Sequence, residues 1–318
     1  MDLTISNSEI QTFKRCRRKW WLAYYRHLRA RGGAPTRGPL AIGTRVHDVV
    51  AQYYQLDLPE DVKISDALAR HDALIEADLE RLGADTNAID VLEKEADLSR
   101  AMLEGYFEWI AESGVDQGLR VTGVEKEISL AVVAPATETT FQVRAKLDLT
   151  IHDDALDEEW FLDHKTVGDF ATPTKTLHLD EQMLMYDWLK GLTDGIKVRG
   201  AMYNMIRKVK RTRAAKPPFF MRFKVEHSQQ EIESFYVRLL GELDQIARVR
   251  QLLDAGHDPL RVAYPTPDRS CSYMCEFYHI CPLIDRPQDK RGEPMIAMLY
   301  EEGNPYERYT ELEGLDVS

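Results

Sequence analysis

Three side chains in two short stretches have the types and spacing for metal-assisted chemistry on a phosphodiester. Asp148 ends the stretch RAKLD, and Asp163 and Lys165 stand two positions apart in WFLDHKT. In an extended strand, residues two apart share a face, so Asp163 and Lys165 point together and His164 points away. The chain around Asp148 alternates: Phe141, Val143, Ala145, Leu147, Leu149 and Ile151 face one way, and Gln142, Arg144, Lys146, Asp148 and Thr150 the other. The polar run HDDALDEE reads as a turn, so a hairpin brings Asp148 opposite Asp163 and leaves Lys165 beside both. Two carboxylates suit a hard divalent cation such as Mg²⁺ or Mn²⁺, with the carbonyl of His164 available as a further oxygen. Such a cation polarises a phosphodiester and helps generate hydroxide, while Lys165 orients that nucleophile or stabilises developing charge. The same residues also read as an ordinary solvated hairpin.

Other residues offer themselves to this site. In GTRVH, Gly43 and His47 lie one helical turn apart, and His47 reads either as an imidazole metal ligand or as a structural histidine. Gln182 and Tyr186 also lie one turn apart, placed to hold a DNA backbone, to order the site, or simply to pack an amphipathic helix. Glu125 and Glu127 share a face of a preceding strand, where salt bridging is the simpler reading.

The elements that must position these residues alternate in type. Helices are expected over 8–28, from Gly43 to about Gln55, and over 65–82, 88–113, 176–191 and 228–254. Strands are expected over 120–132, 139–151, 159–166, 197–207 and 219–226. The order gives an α/β protein: a mixed-sheet core carrying an N-terminal helical elaboration. Along the chain this divides into an N-terminal helical part (1–56, with Cys16 and His47), a helical insertion (57–118), the core (119–256), a cysteine segment (257–284) and a tail (285–318). Little periodicity marks the tail, although its Met295–Tyr300 stretch is apolar enough to dock.

The 318 residues carry 41 basic and 53 acidic side chains, a net charge of −12, which argues against a simple basic coating protein. Charge is segregated, however. Lys14, Arg15, Arg17, Arg18, Lys19, Arg26, Arg29 and Arg31 form a segment without Asp or Glu. RKVKRTRAAK sets six basic residues between Arg207 and Lys216. Arg17, Arg18 and Lys19, with Arg207, Lys208, Lys210, Arg211 and Arg213, are the candidate phosphate contacts. Trp20, Trp21, Tyr24 and Tyr25 read as core. No apolar run is long enough for a membrane span and no secretory leader is seen, so the expected address is the cytoplasm, or a host cytoplasm for a viral protein. A GxxxxGK[ST] loop is missing, which argues against an ATPase or helicase.

Four cysteines complete the set: Cys16 in the opening helix, then Cys271, Cys275 and Cys281 in a C-x₃-C-x₅-C pattern. A cytosolic disulfide pair would be unusual, and four convergent thiolates suit a [4Fe–4S] cluster or a tetrahedral zinc site. Spacing leaves these two, and simple free thiols, open.

Taken together the residues resemble the PD-(D/E)XK nucleases, and among them the RecB-like and Cas4-like exonuclease branch. The resemblance rests on Gly43-Thr44-Arg45-Val46-His47, on RAKLD ending at Asp148, on Asp163-His164-Lys165-Thr166 and on Gln182-Met183-Leu184-Met185-Tyr186. It implies a restriction-endonuclease-like core in which His47, Asp148 and Asp163 bind metal, Lys165 supports catalysis, and Gln182 and Tyr186 serve the active-site and DNA-binding surface. Asp163 stands where many relatives have Glu, and the first acidic motif has no literal Pro-Asp pair. An AddB-like four-cysteine arrangement belongs to the same resemblance and implies that Cys16, Cys271, Cys275 and Cys281 hold a [4Fe–4S] cluster, ahead of zinc, stapling the N-terminal helix to the C-terminal segment. The x₃ interval is longer than the common x₂.

The implied function is a Mg²⁺- or Mn²⁺-dependent DNA exonuclease acting on single-stranded DNA or DNA ends in repair, recombination or viral replication, with a helicase or recombination protein as partner. The alternatives are a structure-selective DNA or RNA endonuclease, a non-hydrolytic DNA-end-binding subunit and a metal-stabilised adaptor.

Overall fold

Ser6 ends a short strand, β1 (Leu3–Ser6), and caps the helix that follows, α1 (Asn7–Arg15), by accepting from the Glu9 amide at 3.4 Å. The computed structural model describes residues 3–33, 36–55, 57–286, 291–307 and 309. The single opening helix expected over 8–28 is broken. Cys16 is extended (φ −158°, ψ 107°), so α1 stops there, a one-turn helix spans Arg17–Trp20, and Trp21–Tyr25 continues as π-helix. The break turns both Phe13 and Trp20 inward, where their rings meet edge to face at 5.1 Å.

After β2 (Leu28–Ala30) come three long helices, α2 (Pro39–Gln55), α3 (Glu60–Leu82) and α4 (Thr86–Ser113). Asp85 caps α4 on the Ala88 amide, and Gly114 ends it in the left-handed conformation. A three-strand run follows: β3 (Leu119–Ala134), β4 (Thr139–Asp153) and β5 (Glu158–Val167). Then come α5 (Glu181–Thr193), β6 (Val198–Arg207), β7 (Phe220–Glu226), α6 (Gln229–Asp254), α7 (Gly292–Leu299) and β8 (Tyr300–Glu302). The expected alternation of element types is therefore present, with ends displaced by a few residues. Helix α5 starts five residues later than expected, because Asp180 supplies the capping carboxylate. No described helix is long and apolar enough to cross a membrane.

The main sheet is mixed, in the order β1-β4-β5-β6-β7 with β3 also paired to β4. β4 and β5 are antiparallel, β5 and β6 parallel, and β6 and β7 antiparallel. β2 and β8 form a separate antiparallel pair.

The chain divides into two compact units. One comprises Met1–Ala34, Glu127–Ala145 and Gln230–Ser318; the other comprises Pro35–Lys126 and Lys146–Gln229. In the second unit, α2 buries Ile42, Val46, Val49, Val50 and Tyr53, the 3–4 spacing of one helical stripe, against Met102, Leu103, Tyr106 and Phe107 of α4. Burial of each such aliphatic side chain contributes roughly 1.5–3 kcal/mol. A second cluster joins Leu149, Ile151, Trp160, Leu162 and Met202 within the strands. These two clusters fix the strands against α2.

The first unit is organised around a buried carboxylate. Glu9 accepts from Trp20 Nε1 at 2.8 Å, from Arg250 Nη2 at 3.0 Å and from the Tyr306 hydroxyl. Asp244 of α6 holds the β3–β4 turn by accepting from the Ala136 and Thr137 amides, both at 3.0 Å. From the tail expected to be irregular, α7 and β8 form, with β8 registered on Leu28–Ala30; residues 287–290, 308 and 310–318 lie outside the described residues.

The C-terminal iron–sulfur segment expected over 257–284 is corrected by this unit. Cys271 and Cys281 each begin a one-turn helix and Cys275 ends the first of them. All four cysteines are free and half-buried. Burial raises the Cys275 thiol and pushes Cys281 up to about 11, with the nearby Cys16 adding to both. Among the described residues, no group of three or more His, Cys, Asp or Glu side chains is placed to hold a metal ion. The α/β core with its N-terminal helices stands. The [4Fe–4S] cluster and its zinc alternative do not.

Candidate active site

The site lies in the second unit, built by α2, β4, β5 and the start of α5. Strand pairing runs from Asp153↔Glu158 to Leu149↔Leu162, so Asp148 and Asp163 are the next residues on each strand. Asp163 and Lys165 share a face, as their spacing required, and Lys165 Nζ lies 2.9 Å from Asp163 Oδ2. That contact is an ion pair without hydrogen-bond alignment, for Asp163 Oδ2 is buried and takes no aligned donor. On β4, Asp148 Oδ2 meets His47 Nδ1 at 3.1 Å and accepts from the His164 amide at 3.4 Å.

His47 reaches the strands because α2 packs closely on β5. At Gly43, one turn earlier, a Cβ would stand 3.3 Å from Thr166 Oγ1. A Cβ there would require Thr166 or the helix to give by a few tenths of an ångström, so the glycine lets α2 settle this close to β5.

The two carboxylates differ electrically. Burial works to neutralise Asp148, but the hydrogen bond and charge of His47 outweigh it and hold its carboxyl well below the ordinary range. Asp163 has less help. Burial raises it, Lys165 only partly opposes this, and Asp148 raises it further, to about 6. Burial also disfavours the Lys165 ammonium, yet the Asp163 and Asp180 carboxylates together keep it firmly protonated. Coupled carboxyls of this kind share their titration, and the direction of the split is set by which one faces the imidazole.

Helix α5 fastens the other end of the site. Gln182 Nε2 donates to the Tyr186 hydroxyl at 2.7 Å, and that hydroxyl donates to the Lys146 carbonyl at 3.0 Å, two residues before Asp148. The amphipathic pair thus touches the backbone of the strand that carries Asp148. Lys146 itself pairs with Glu125 at 3.2 Å. Glu125 has φ 50°, a local interruption of the extended backbone of β3.

Several residues escaped the sequence reading. Asp180, the α5 cap, lies 3.9 Å from Lys165 and accepts from the Tyr203 hydroxyl at 3.2 Å. Its position just before a helix was the signal for it. His164, between Asp163 and Lys165, is almost wholly buried. Asn204 Nδ2 donates to the Tyr106 hydroxyl at 2.6 Å, which in turn shares a hydrogen bond with His164 Nε2 at 2.9 Å. Arg222 Nε donates to Asn204 Oδ1 at 2.6 Å, and its Nη2 donates to Asp116 at 2.5 Å. Burial first, then the charge of His47, lowers the His164 pKa to about 3, so the ring is neutral. An Asn inside the apolar run MYNMI was the only hint of this network.

Among the described residues, no three-donor group is already arranged around an ion position at His47, Asp148 and Asp163. The physical reason is that His47 and Asp148 engage each other while Asp163 faces Lys165. The basic candidates are divided. Arg18 is 1% exposed and is engaged by the Ala263 carbonyl and Asp285. Arg17 stacks on Phe13 and Tyr264, and Lys19 is half-buried. Lys210 pairs with Asp97 and Arg211 with Glu108, leaving Arg207 bonded to the Lys216 carbonyl, Lys208 half-buried and Arg213 exposed.

A family model described as the PD-(D/E)XK nuclease superfamily matches residues 4–282. A solved structure titled "Crystal structure of SSO0001" is 14% identical, with a TM-score of 0.31 and a match covering 60% of this chain and 78% of that one. No curated protein matches. The family match is to the superfamily as a whole, so assignment to the RecB-like, Cas4-like or AddB-like branches is withdrawn together with the iron–sulfur arrangement that suggested it. Spanning every residue from His47 to Tyr186, the match over residues 4–282 makes this chain a member of the PD-(D/E)XK nuclease superfamily, and its general activity that of a nuclease.

Proposed function

We propose that the protein is a divalent-cation-dependent DNA exonuclease that works on single-stranded DNA or at DNA ends. The observation that carries this reading is the pairing of an ionised Asp148 beside His47 with Asp163 facing Lys165 at 2.9 Å on the adjacent strand. Asp148 and Asp163 would hold Mg²⁺ or Mn²⁺, since carboxylate oxygens suit such ions, and His47 Nδ1 would join them on losing its proton. Asp163 Oδ2 is buried with Lys165 Nζ as its counter-charge, and a cation would share that carboxylate. When bound, the cation supplies Lewis-acid polarisation and a nucleophilic hydroxide at neutral pH.

The chain's own side chains do the rest. Lys165, held protonated, sets a fixed positive charge where negative charge develops on the phosphoryl oxygens. Gln182 and Tyr186 hold the β4 backbone, and so the Asp148 carboxylate, in register. Of the basic candidates in the second unit, Arg207, Lys208 and Arg213 remain to grip the phosphate backbone. Burial supports a preference for ends or single strands. Asp163 is only 4% exposed, and His47, Asp148 and His164 line a small cavity, so the scissile phosphate must enter a recess that a continuous duplex enters poorly.

The test compares wild type with Lys165→Ala on 5′- and 3′-labelled single- and double-stranded DNA, with Mg²⁺ or Mn²⁺ and with chelator. Progressive metal-dependent shortening by wild type alone is expected. Internal cuts would replace this reading with an endonuclease, and binding without cleavage by folded protein would replace it with an end-binding subunit.

A further inference from the structure

Within the second unit, a shallow pocket of about 400 Å³ opens beyond the C-terminal end of β5, walled by Phe170, Ala171, Thr174 and Pro218 and floored by Met221 and Phe223, with Asp169 and Arg207 at its edge. Its relation to the reacting residues follows from strand register. Asp163 pairs with Tyr203 and Tyr203 with Phe223; Lys165 pairs with Met205 and Met205 with Met221. Residues directly paired across strands point to the same side of a sheet. Met221 and Phe223 therefore stand on the face that carries Asp163 and Lys165, two strands away, a distance of about 10 Å. Arg207 pairs with Val167 and so belongs to the same face, two residues along β5 from Lys165.

The lining has the chemistry of a base site. Phe170 and Phe223 offer ring faces, Met221 a polarisable thioether and Pro218 a flat apolar edge, all partly exposed. The Arg207 guanidinium is fixed at the edge by donating from Nη1 to the Lys216 carbonyl at 2.9 Å, which leaves other N–H groups for a phosphate. Asp169 accepts from the Thr172 amide at 2.9 Å and hydroxyl at 3.3 Å, with lone pairs remaining for an exocyclic amine. Aromatic faces beside a guanidinium are the combination that holds an unpaired nucleotide, stacking its base and gripping its phosphate.

We infer that this pocket takes one unpaired nucleobase of the substrate strand, one or two nucleotides from the scissile phosphate, and so sets the preference for single-stranded DNA. The inference rests on the nuclease reading above and names a subsite of it. A paired base has both its faces stacked and cannot enter; a free one can. Base stacking on aromatics is sequence-tolerant, so the pocket discriminates strand state more than sequence.

The experiment uses the full chain, Mn²⁺ and single-stranded oligonucleotides bearing one abasic nucleotide at successive positions. Loss of one stacked base should raise KM about tenfold at a single position near the cut and leave the others unchanged. Phe170→Ala, a change on a half-buried connecting segment, should raise KM for intact DNA by a similar factor with kcat little changed, and add no further loss on the abasic substrate. Equal sensitivity at every abasic position, or additive losses in Phe170→Ala, would overturn the subsite. Binding of 2-aminopurine-labelled single strands by Lys165→Ala, read as fluorescence quenching lost in the Phe170→Ala double variant, reports the pocket without turnover. Quenching that persists there overturns the pocket, whereas absent cleavage with normal quenching overturns the exonuclease reading alone.

Discussion

His47 Nδ1 and Asp148 Oδ2 stand 3.1 Å apart, so that helix α2 and strand β4 meet at a charged hydrogen bond inside the site. The imidazole pulls the Asp148 carboxyl down, and the carboxylate in turn raises His47 against its own burial. A divalent cation would take the place of that shared proton. His47→Asn should therefore weaken Mn²⁺ binding about 10- to 100-fold, by analogy with loss of a group that orients a metal ligand, while leaving the fold intact. Calorimetric titration of Mn²⁺ into wild type and variant checks this; equal affinities would remove His47 from the cation site.

Asp163 carries the pH dependence. Its carboxyl is raised from 3.8 to about 6, chiefly by burial, so the native state favours the neutral form. The sign is that of a raised acid: its stabilising contribution is complete below about 3.8 and is lost as pH climbs through about 6. A cation requires the ionised form, so the proton competes with it. Mn²⁺ affinity should rise up to tenfold per pH unit as pH approaches 6 from below and level off above, and Asp163→Asn should flatten the profile. Metal titrations between pH 5 and 8, paired with thermal melts of metal-free protein, test both limbs.

Lys165 touches the reaction differently. Lys165→Met keeps the stem and removes the charge, and should lower kcat by about 10²–10³, the scale of losing one preorganised electrostatic stabiliser. KM and Mn²⁺ affinity should change far less. Relieving Asp163 of its cationic partner also pushes the Asp163 carboxyl higher still, so the variant's remaining activity should move to higher pH. A variant whose loss appears in KM alone would reassign Lys165 to substrate binding.

The placement of Asp148, Asp163 and Lys165 was legible because a two-residue period and a hairpin fix which side chains share a face. His47 was legible as a helical neighbour of Gly43, and the structure supplies the reason: without a Cβ at Gly43, α2 can settle on Thr166. What the pattern could not carry was anything set by partners distant in sequence. Arg18 looked like a free phosphate contact within a basic run, but an extended residue at Cys16 turns it inward onto Ala263 and Asp285. Lys210 and Arg211 looked like a loop grip, and acids of α4 pair with both. The cysteine spacing invited a metal, whereas no group of three or more His, Cys, Asp or Glu among the described residues is arranged to hold one. Asp180 was hidden as an ordinary helix cap.

Tyr186 links α5 to the active strand through its hydroxyl, which receives from Gln182 and donates to the Lys146 carbonyl. Tyr186→Phe preserves the ring and removes both bonds, at a cost of about 1–2 kcal/mol in stability. If the hydroxyl does no more than that, kcat will be unchanged on properly folded protein. If it holds Asp148 in place, kcat should fall several-fold with a weaker Mn²⁺ affinity, and Gln182→Leu should reproduce part of the effect.

Arg222 is the test of the buried network behind His164. Its side chain is 7% exposed and serves Asn204, the Val115 carbonyl and Asp116 at 2.5–2.7 Å. An exposed ion pair would be worth less than about 1 kcal/mol, but removing one member of a buried set strands the others. Arg222→Met leaves the Asp116 carboxylate without its cation and Asn204 Oδ1 without its donor, so destabilisation of about 3–5 kcal/mol is expected in denaturant unfolding. Freed from Arg222, the Asn204 amide can turn and release the Tyr106 hydroxyl from its alignment on His164, whose amide donates to Asp148. Nuclease activity of the folded fraction should then fall together with stability, whereas Asp116→Asn, which keeps the shape and loses only charge, should cost stability with activity largely kept.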